Sequence, residues 1–484
     1  MKSVSANTRV SSYFDLKRDQ TTLDFVDVPI GADIPVFLDP MRLKSINSGW
    51  ASECSSLLQH FFEQLLEHLK SGDKAAGMVL LQGLSESNQF HFGFSRGQSQ
   101  GRAIGPVYAE RMWKALIKSK AGSSGLLEDI EDTCLFIEGI GSDRISDSVC
   151  NIVRGPLVQY TRDVCTFYGI PLQDDVATGS IWNVETGAWD DELLSLPTTK
   201  YGPLVLVPKI AVRHRIEYDA GSYYRFYLLP EMQRVEKSMS TALVQTLSDG
   251  RKKVTKKSLR EKYGADKLAI VEQSIRHPTM LSKYRKEMGS KSRPLSHLEF
   301  ADIENIDIPR FEKLLEEVQV IPSGPKDANR YHHAIEKVLS ALFYPALTAP
   351  IKEAEIHDGR KRIDIRYTNT GSHGFFAWLY KHFTCPYLFV ECKNYGKDIE
   401  NPELDQLTGR FSPSRGKVGL LICRSIQKPA KIAASCLDVS HDDRGWIIVL
   451  TDEDIASIVK TFVESNGQMD FPLLREKFEM LLMN

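Results

Sequence analysis

Between residues 331 and 464 the spacing of apolar residues changes period several times, and this alternation constrains the fold more than any other feature of the chain. Ile335, Val338, Leu339 and Leu342 share one stripe, which predicts an amphipathic helix over 331–343. Two strand-like runs follow, 349–356 and 361–367, and the Asp358-Gly359 pair between them suits a tight hairpin turn. A third strand is expected over 387–393, then a helix over 402–411 with Pro402 in its first turn, then strands over 417–423 and 446–450. Thr451 is a good N-cap for a last helix, whose first turn carries Asp452, Glu453 and Asp454. The order helix, three strands, helix, two strands, helix requires a mixed α/β domain over residues 326–484.

With 484 residues, the chain is too long for one core, so further domains are expected upstream. Residues 1–228 mix helical patterns (57–69, 107–117, 145–168) with strand-like runs (89–94, 204–210) and read as an α+β domain for sensing or specificity. Residues 229–325 read as a mainly helical connecting segment ending in the Pro-containing stretches GSKSRPLS and IPSGPKD. Charge is laid out unevenly: the chain carries a net charge of -2, yet 231–294 holds sixteen Lys and Arg against seven Asp and Glu. Lys252, Lys253, Lys256 and Lys257 lie at the centre of this island, as a solvated face or as a tether for a phosphate backbone.

A composition of 42% hydrophobic and 26% charged residues excludes collagen-like and wholly disordered chains. No apolar run approaches the roughly 18 residues of a membrane span, and the first residues lack a secretory apolar region, so no membrane partner and a cytoplasmic location are expected. The eight cysteines form no C-x-x-C pair and none of the twelve histidines forms H-x-x-x-H, which argues against disulfide frameworks and zinc sites.

Strand alternation assigns faces. In RIDIRY, Asp364 and Arg366 share one side; in YLFVECK, Phe389, Glu391 and Lys393 share one side. Two carboxylates and an amine can therefore converge. A hard divalent cation takes oxygen ligands from one or two carboxylates plus phosphate and water, and a neighbouring ammonium can orient water or stabilise developing charge. The strand bearing Asp364, followed by Glu391-Cys392-Lys393, resembles the PD-(D/E)xK, or restriction endonuclease-like (Mrr-like), nuclease superfamily over about residues 328–465. The resemblance implies an α-β-β-β-α-β core, metal binding by Asp364 and Glu391, and a water-assisting Lys393. It further implies that Glu336 on the preceding helix completes the metal site and that Gln406 on the following helix joins the catalytic set, with Arg410 one turn on. Ile363 stands where the family label has proline, at a permissive position.

The expected activity is therefore Mg²⁺-dependent hydrolysis of phosphodiester bonds, with Mn²⁺ able to substitute, most simply by a DNA endonuclease of bacterial restriction or phage defence. Arg410, Arg362 and the four lysines are candidate nucleic-acid contacts. The alternatives are an inactive nucleic-acid-binding protein, in which Asp364, Glu391 and Lys393 merely clamp two strands, and an RNA-directed nuclease. A homo-oligomer, and a ligand or protein that activates through the N-terminal domain, are compatible with this architecture. Gly97-Gln98-Ser99-Gln100-Gly101 matches a nucleophile-elbow pattern but lacks a recognisable triad, so a loop is favoured. The aromatic insert 371–383 can stack on bases or pack as a small helix, with packing favoured, and the polar stripe of Arg144, Asp147 and Asn151 can serve a ligand or a local ion pair.

Overall fold

Residues from Val10 to Phe300 gather on one hydrophobic core, and those from Phe311 to Leu481 on the two faces of a five-stranded sheet. This computed structural model describes residues 5–84, 88–93, 106–119, 121–215, 217–307, 310–356, 361–468 and 470–483; the side chains of 106–108, 122, 123, 142, 143, 352–356 and 361–364 fall outside it. Ser99 and its loop therefore lie outside the described residues.

The first core is mainly helical. Helix Gly49–Ser71 starts at Ser48, whose hydroxyl accepts from the Ala51 N–H, and buries Cys54, Leu58, Phe61, Phe62 and Leu65 on one stripe. The pattern over 145–168 resolves into two helices, Ser142–Ile152 and Arg154–Tyr168, which meet at Val153. Leu204 to Val207 are buried as expected of a strand, yet they are held by single bonds, such as Val26 N–H to Val207 O, and not by a ladder. A hairpin that the sequence pattern does not announce joins Gln173–Asn183 to Ala188–Leu196. Most of its residues are not buried, so it carries no apolar alternation to read.

Residues 229–325 divide between the cores: Leu229, Met232, Val254, Leu259, Ile270, Leu281, Tyr284 and Phe300 join the first, whereas Phe311, Val318 and Ile321 join the second.

Numbered from residue 328, the sheet region runs α1 (Ala328–Phe343), β1 (Leu347–Ile356), β2 (Lys361–Asn369), α2 (Gly374–His382), β3 (Tyr387–Lys393), α3 (Asn401–Thr408), β4 (Val418–Cys423), α4 (Pro429–His441), β5 (Trp446–Thr451), α5 (Asp452–Glu464) and α6 (Pro472–Met483). Strand order is β5-β4-β3-β2-β1. β1, β2 and β3 pair antiparallel, whereas β3, β4 and β5 pair parallel. Parallel neighbours need a crossover, and α3 and α4 supply the two. Both lie on one face, where Leu404, Leu407, Ile432, Cys436 and Val439 meet Phe389 and Leu421. α1, α2, α5 and helix Phe311–Gln319 cover the other face through Ile335, Leu339, Phe375, Ile455 and Val318 against Ile365, Tyr367, Val390 and Ile422. Val418 to Cys423 are all buried, as in a strand covered on both faces. The insert packs: Phe375, Phe376 and Leu379 are buried, and Trp378 and Phe383 both meet Phe478 edge to face.

The cores touch through Tyr344, which is buried in the first core, and through polar contacts. Ala349 N–H donates to Asp24 Oδ1 at 2.8 Å, Tyr344 Oη donates to Leu295 O at 2.8 Å, and the ring of Tyr344 sits 4.2 Å from Lys209 Nζ. All eight cysteines are buried and unbridged. Among the described residues no helix is long and apolar enough to cross a membrane.

Candidate active site

β3 positions the candidate residues because its alternation sends Leu388, Val390 and Cys392 into one core and leaves Phe389, Glu391 and Lys393 on the opposite face, beside α3. Glu391 is 1% exposed. Its Oε1 accepts from Lys393 Nζ at 2.8 Å, and its Oε2 accepts from the guanidinium of Arg410. Lys393 Nζ also donates to Gln406 Oε1 at 3.0 Å. The approach of α3 depends on Gly419 of β4, where a Cβ would lie 2.9 Å from Leu407 and 3.0 Å from Phe411. Phe411 in turn stacks on Phe389, one pleat from Glu391. Asn394, just past β3, donates to Pro322 O and Gly324 O and so ties the strand end to the preceding segment.

β2 and β3 pair with Ile365 opposite Val390 and Arg366 opposite Phe389, and continuing that register by one residue sets position 364 across from Glu391. The side chain of Asp364, like that of Arg362, lies outside the described residues. Arg410, expected at the nucleic-acid surface, is 4% exposed and directs its guanidinium to Glu391.

Glu336 is held on the other face of the sheet. Its carboxylate accepts two bonds from Arg18 and one from Ser340 Oγ at 2.8 Å, and its carbonyl accepts from Tyr367 Oη at 3.3 Å. Burial works against the charge on Arg18, yet Glu336 and Tyr168 hold its pKa above the ordinary value. Burial and the neighbouring Glu336 carboxylate push the Tyr367 phenol up, so it stays a neutral hydrogen-bonding group. Sequence reasoning missed Arg18 because 318 residues separate it from its partner and nothing local marks it.

The four island lysines are exposed. Lys252 and Lys253 form a two-residue strand, while Lys256 and Lys257 open helix Lys256–Tyr263. Lys267, in the same basic stretch, is instead structural: its ammonium donates to the carbonyls of Cys134, Ile137 and Ile140. The polar stripe of Ser142–Ile152 is occupied locally, since Asn151 accepts from Arg154 and donates to Asp147 O.

Among the described residues no group of three His, Cys, Asp or Glu side chains is placed to hold a metal. Mg²⁺ needs no such cage, because one or two carboxylates suffice when phosphate and water complete the shell. An ionised carboxylate offers about four acceptor positions, so cationic donors and a metal can share Glu391. Lys393 and Arg410 together outweigh its single charge, which suits a second carboxylate at position 364 and an anionic substrate. The donor set is hard oxygen, as Mg²⁺ or Mn²⁺ requires.

Residues 15–219 match a family model described as "Domain of unknown function (DUF8370)", which lies within the first core and stops short of the sheet. No curated protein and no solved structure matches the chain.

Proposed function

We propose that the chain is a metal-dependent nuclease that hydrolyses phosphodiester bonds, with its chemistry on β3 and DNA as the first substrate to test. The observation that carries this reading is the gathering of Glu391, Lys393, Gln406 and Arg410 at the end of a central strand, with position 364 opposite. Two features support it: a sheet that passes from antiparallel to parallel at β3, in the order α1, β1, β2, α2, β3, α3, β4, and the Asp364 and Glu391-Cys392-Lys393 pattern that resembles the restriction endonuclease-like superfamily.

In this reading Asp364 and Glu391 hold Mg²⁺ or Mn²⁺, which supplies Lewis acidity toward the phosphate and the attacking water. Lys393, with its side chain 12% exposed, orients that water and offsets charge developing on the phosphate. Gln406 fixes the ammonium by accepting one of its protons. Arg410 holds Glu391 in place and offsets its buried charge. Glu336 stands apart, paired with Arg18 on the other face of the sheet, and has no part in this reading of the metal site. The N-terminal half directs or restrains cleavage, and bacterial restriction or phage defence is the setting this division of labour suits.

The test is incubation of the full chain with linear, circular and single-stranded DNA and with RNA, in Mg²⁺, Mn²⁺ or EDTA. Metal-dependent cleavage that EDTA stops is expected. Tight binding without cleavage under every condition would favour a second reading, an inactive nucleic-acid binder in which the two cations on Glu391 serve only to clamp strands.

A further inference from the structure

Most of the first core's aromatic residues are buried, but Phe226 is 59% exposed. It sits on a π-helical turn, Tyr224–Leu228, inserted between helices Ala220–Tyr223 and Leu229–Ser238. Widened turns of this kind are rare and recur at functional sites. Tyr223, Tyr224, Leu228 and Leu229 are buried around it, so the turn is anchored while Arg225 and Phe226 point to solvent.

The surroundings are cationic. The Arg225 guanidinium lies 5.3 Å from the Phe226 ring, and Lys256 Nζ donates to Arg225 O at 3.1 Å, which places the basic island directly beside the ring. A cleft of about 480 Å³ opens on its other side, lined by Phe226, Tyr227, Arg215 and Lys291 together with the carboxylates of Glu217 and Asp219. Asp219 is engaged as a helix cap by Ser222 N–H, and Glu217 lies 3.8 Å from Arg213. An exposed ring between two sets of cations can take the π-face of an unpaired base while the cations follow its phosphates. A paired base in a duplex offers no such face.

We propose that Phe226 is a stacking platform for an unpaired nucleobase, so that the basic island receives single-stranded nucleic acid and not a duplex. This inference rests on the nucleic-acid partner of the proposed function and adds the state of that partner. The experiment is fluorescence anisotropy of the full chain, at one fixed salt concentration, with short oligothymidylate, oligouridylate and a blunt duplex. Phe226→Ala should weaken oligothymidylate binding about tenfold and leave duplex binding unchanged, since only an unpaired base would lose its stacking partner. Phe226→Trp should keep or improve it. The oligouridylate arm tells DNA from RNA. If Phe226→Ala binds oligothymidylate like the parent while neutralising Lys252, Lys253, Lys256 and Lys257 weakens it, the platform is refuted and the nucleic-acid reading stands. If the parent chain binds none of the three probes, both fall together.

Discussion

Removing Arg410 separates what holds the candidate site together from what reacts there. The side chains of Arg410 and Glu391 are 5% and 1% exposed, so Arg410→Ala leaves a carboxylate buried beside a single described cation, Lys393. Breaking a buried pair from one side costs about 3–5 kcal/mol, because the remaining charge keeps its desolvation penalty. The exposed pair Arg293 and Glu299, at 64% and 35%, gives the contrast: its loss should cost at most about 1 kcal/mol. Amide hydrogen exchange over Tyr387–Lys393, read by mass spectrometry, measures the local cost, and about 3 kcal/mol corresponds to at least about a hundredfold faster exchange. The pair replacement Glu391→Leu with Arg410→Met should recover most of that protection yet remain unable to cut DNA. Protection in Arg410→Ala within threefold of the parent would refute the reasoning, since Glu391 would then have to be solvated or neutral.

Four further outcomes are expected. Asp364→Ala, Glu391→Ala and Lys393→Ala should each abolish metal-dependent cleavage, whereas Gln406→Ala should lower it about ten- to a hundredfold with binding retained, as measured by single-turnover rates. Neutralising Lys252, Lys253, Lys256 and Lys257 should weaken single-strand binding and flatten its salt dependence by about 0.7 in log-log slope for each phosphate no longer neutralised; an unchanged slope leaves them as a solvated face. Burial pushes Glu304 up from 4.5 to about 7 against the pull of Arg9. The folded state thus binds the extra proton between those values, and this stabilisation, on the order of 3 kcal/mol, is present below about pH 4.5 and lost as pH rises through 7. Glu304→Gln should remove that slope from guanidinium titrations at pH 5 and 8. Finally, a fragment starting at Arg310 should be more stable to urea than one starting at Lys326 by roughly 5 kcal/mol, because Phe311, Val318 and Ile321 belong to the sheet core.

The strands were legible because their period is short and their ends are marked. Tyr387–Lys393 falls where alternation put it, and the N-cap at Thr451 is present, with Asp454 completing a capping box. Helix Pro429–His441 was missed although a parallel β4-β5 pair demands a crossover: its buried stripe is only Ile432, Cys436 and Val439, interrupted by small and polar residues. Helix Pro472–Met483 was missed too. At the site, Glu391, Lys393, Gln406 and Arg410 could be read because they lie within twenty residues of one another, on one strand, the helix after it and the turn that ends that helix. The Arg18–Glu336 pair and the solvent-facing turn at Phe226 depend on tertiary packing, for which local periodicity gives no sign.

The distribution of cysteines has a practical consequence. Cys54, Cys134, Cys150 and Cys165 belong to the first core, Cys385 and Cys392 to one face of the sheet, and Cys423 and Cys436 to the other. Burial raises the thiol pKa values of Cys54, Cys134, Cys150 and Cys165 and pushes those of Cys385, Cys423 and Cys436 up to about 12, and Cys392 is buried as well, so the native chain should resist alkylation. Each layer thereby contains its own chemical clock. The order in which these thiols become reactive records which layer opens first, and a single cysteine introduced on the surface would take a dye or spin label without competition from the native eight.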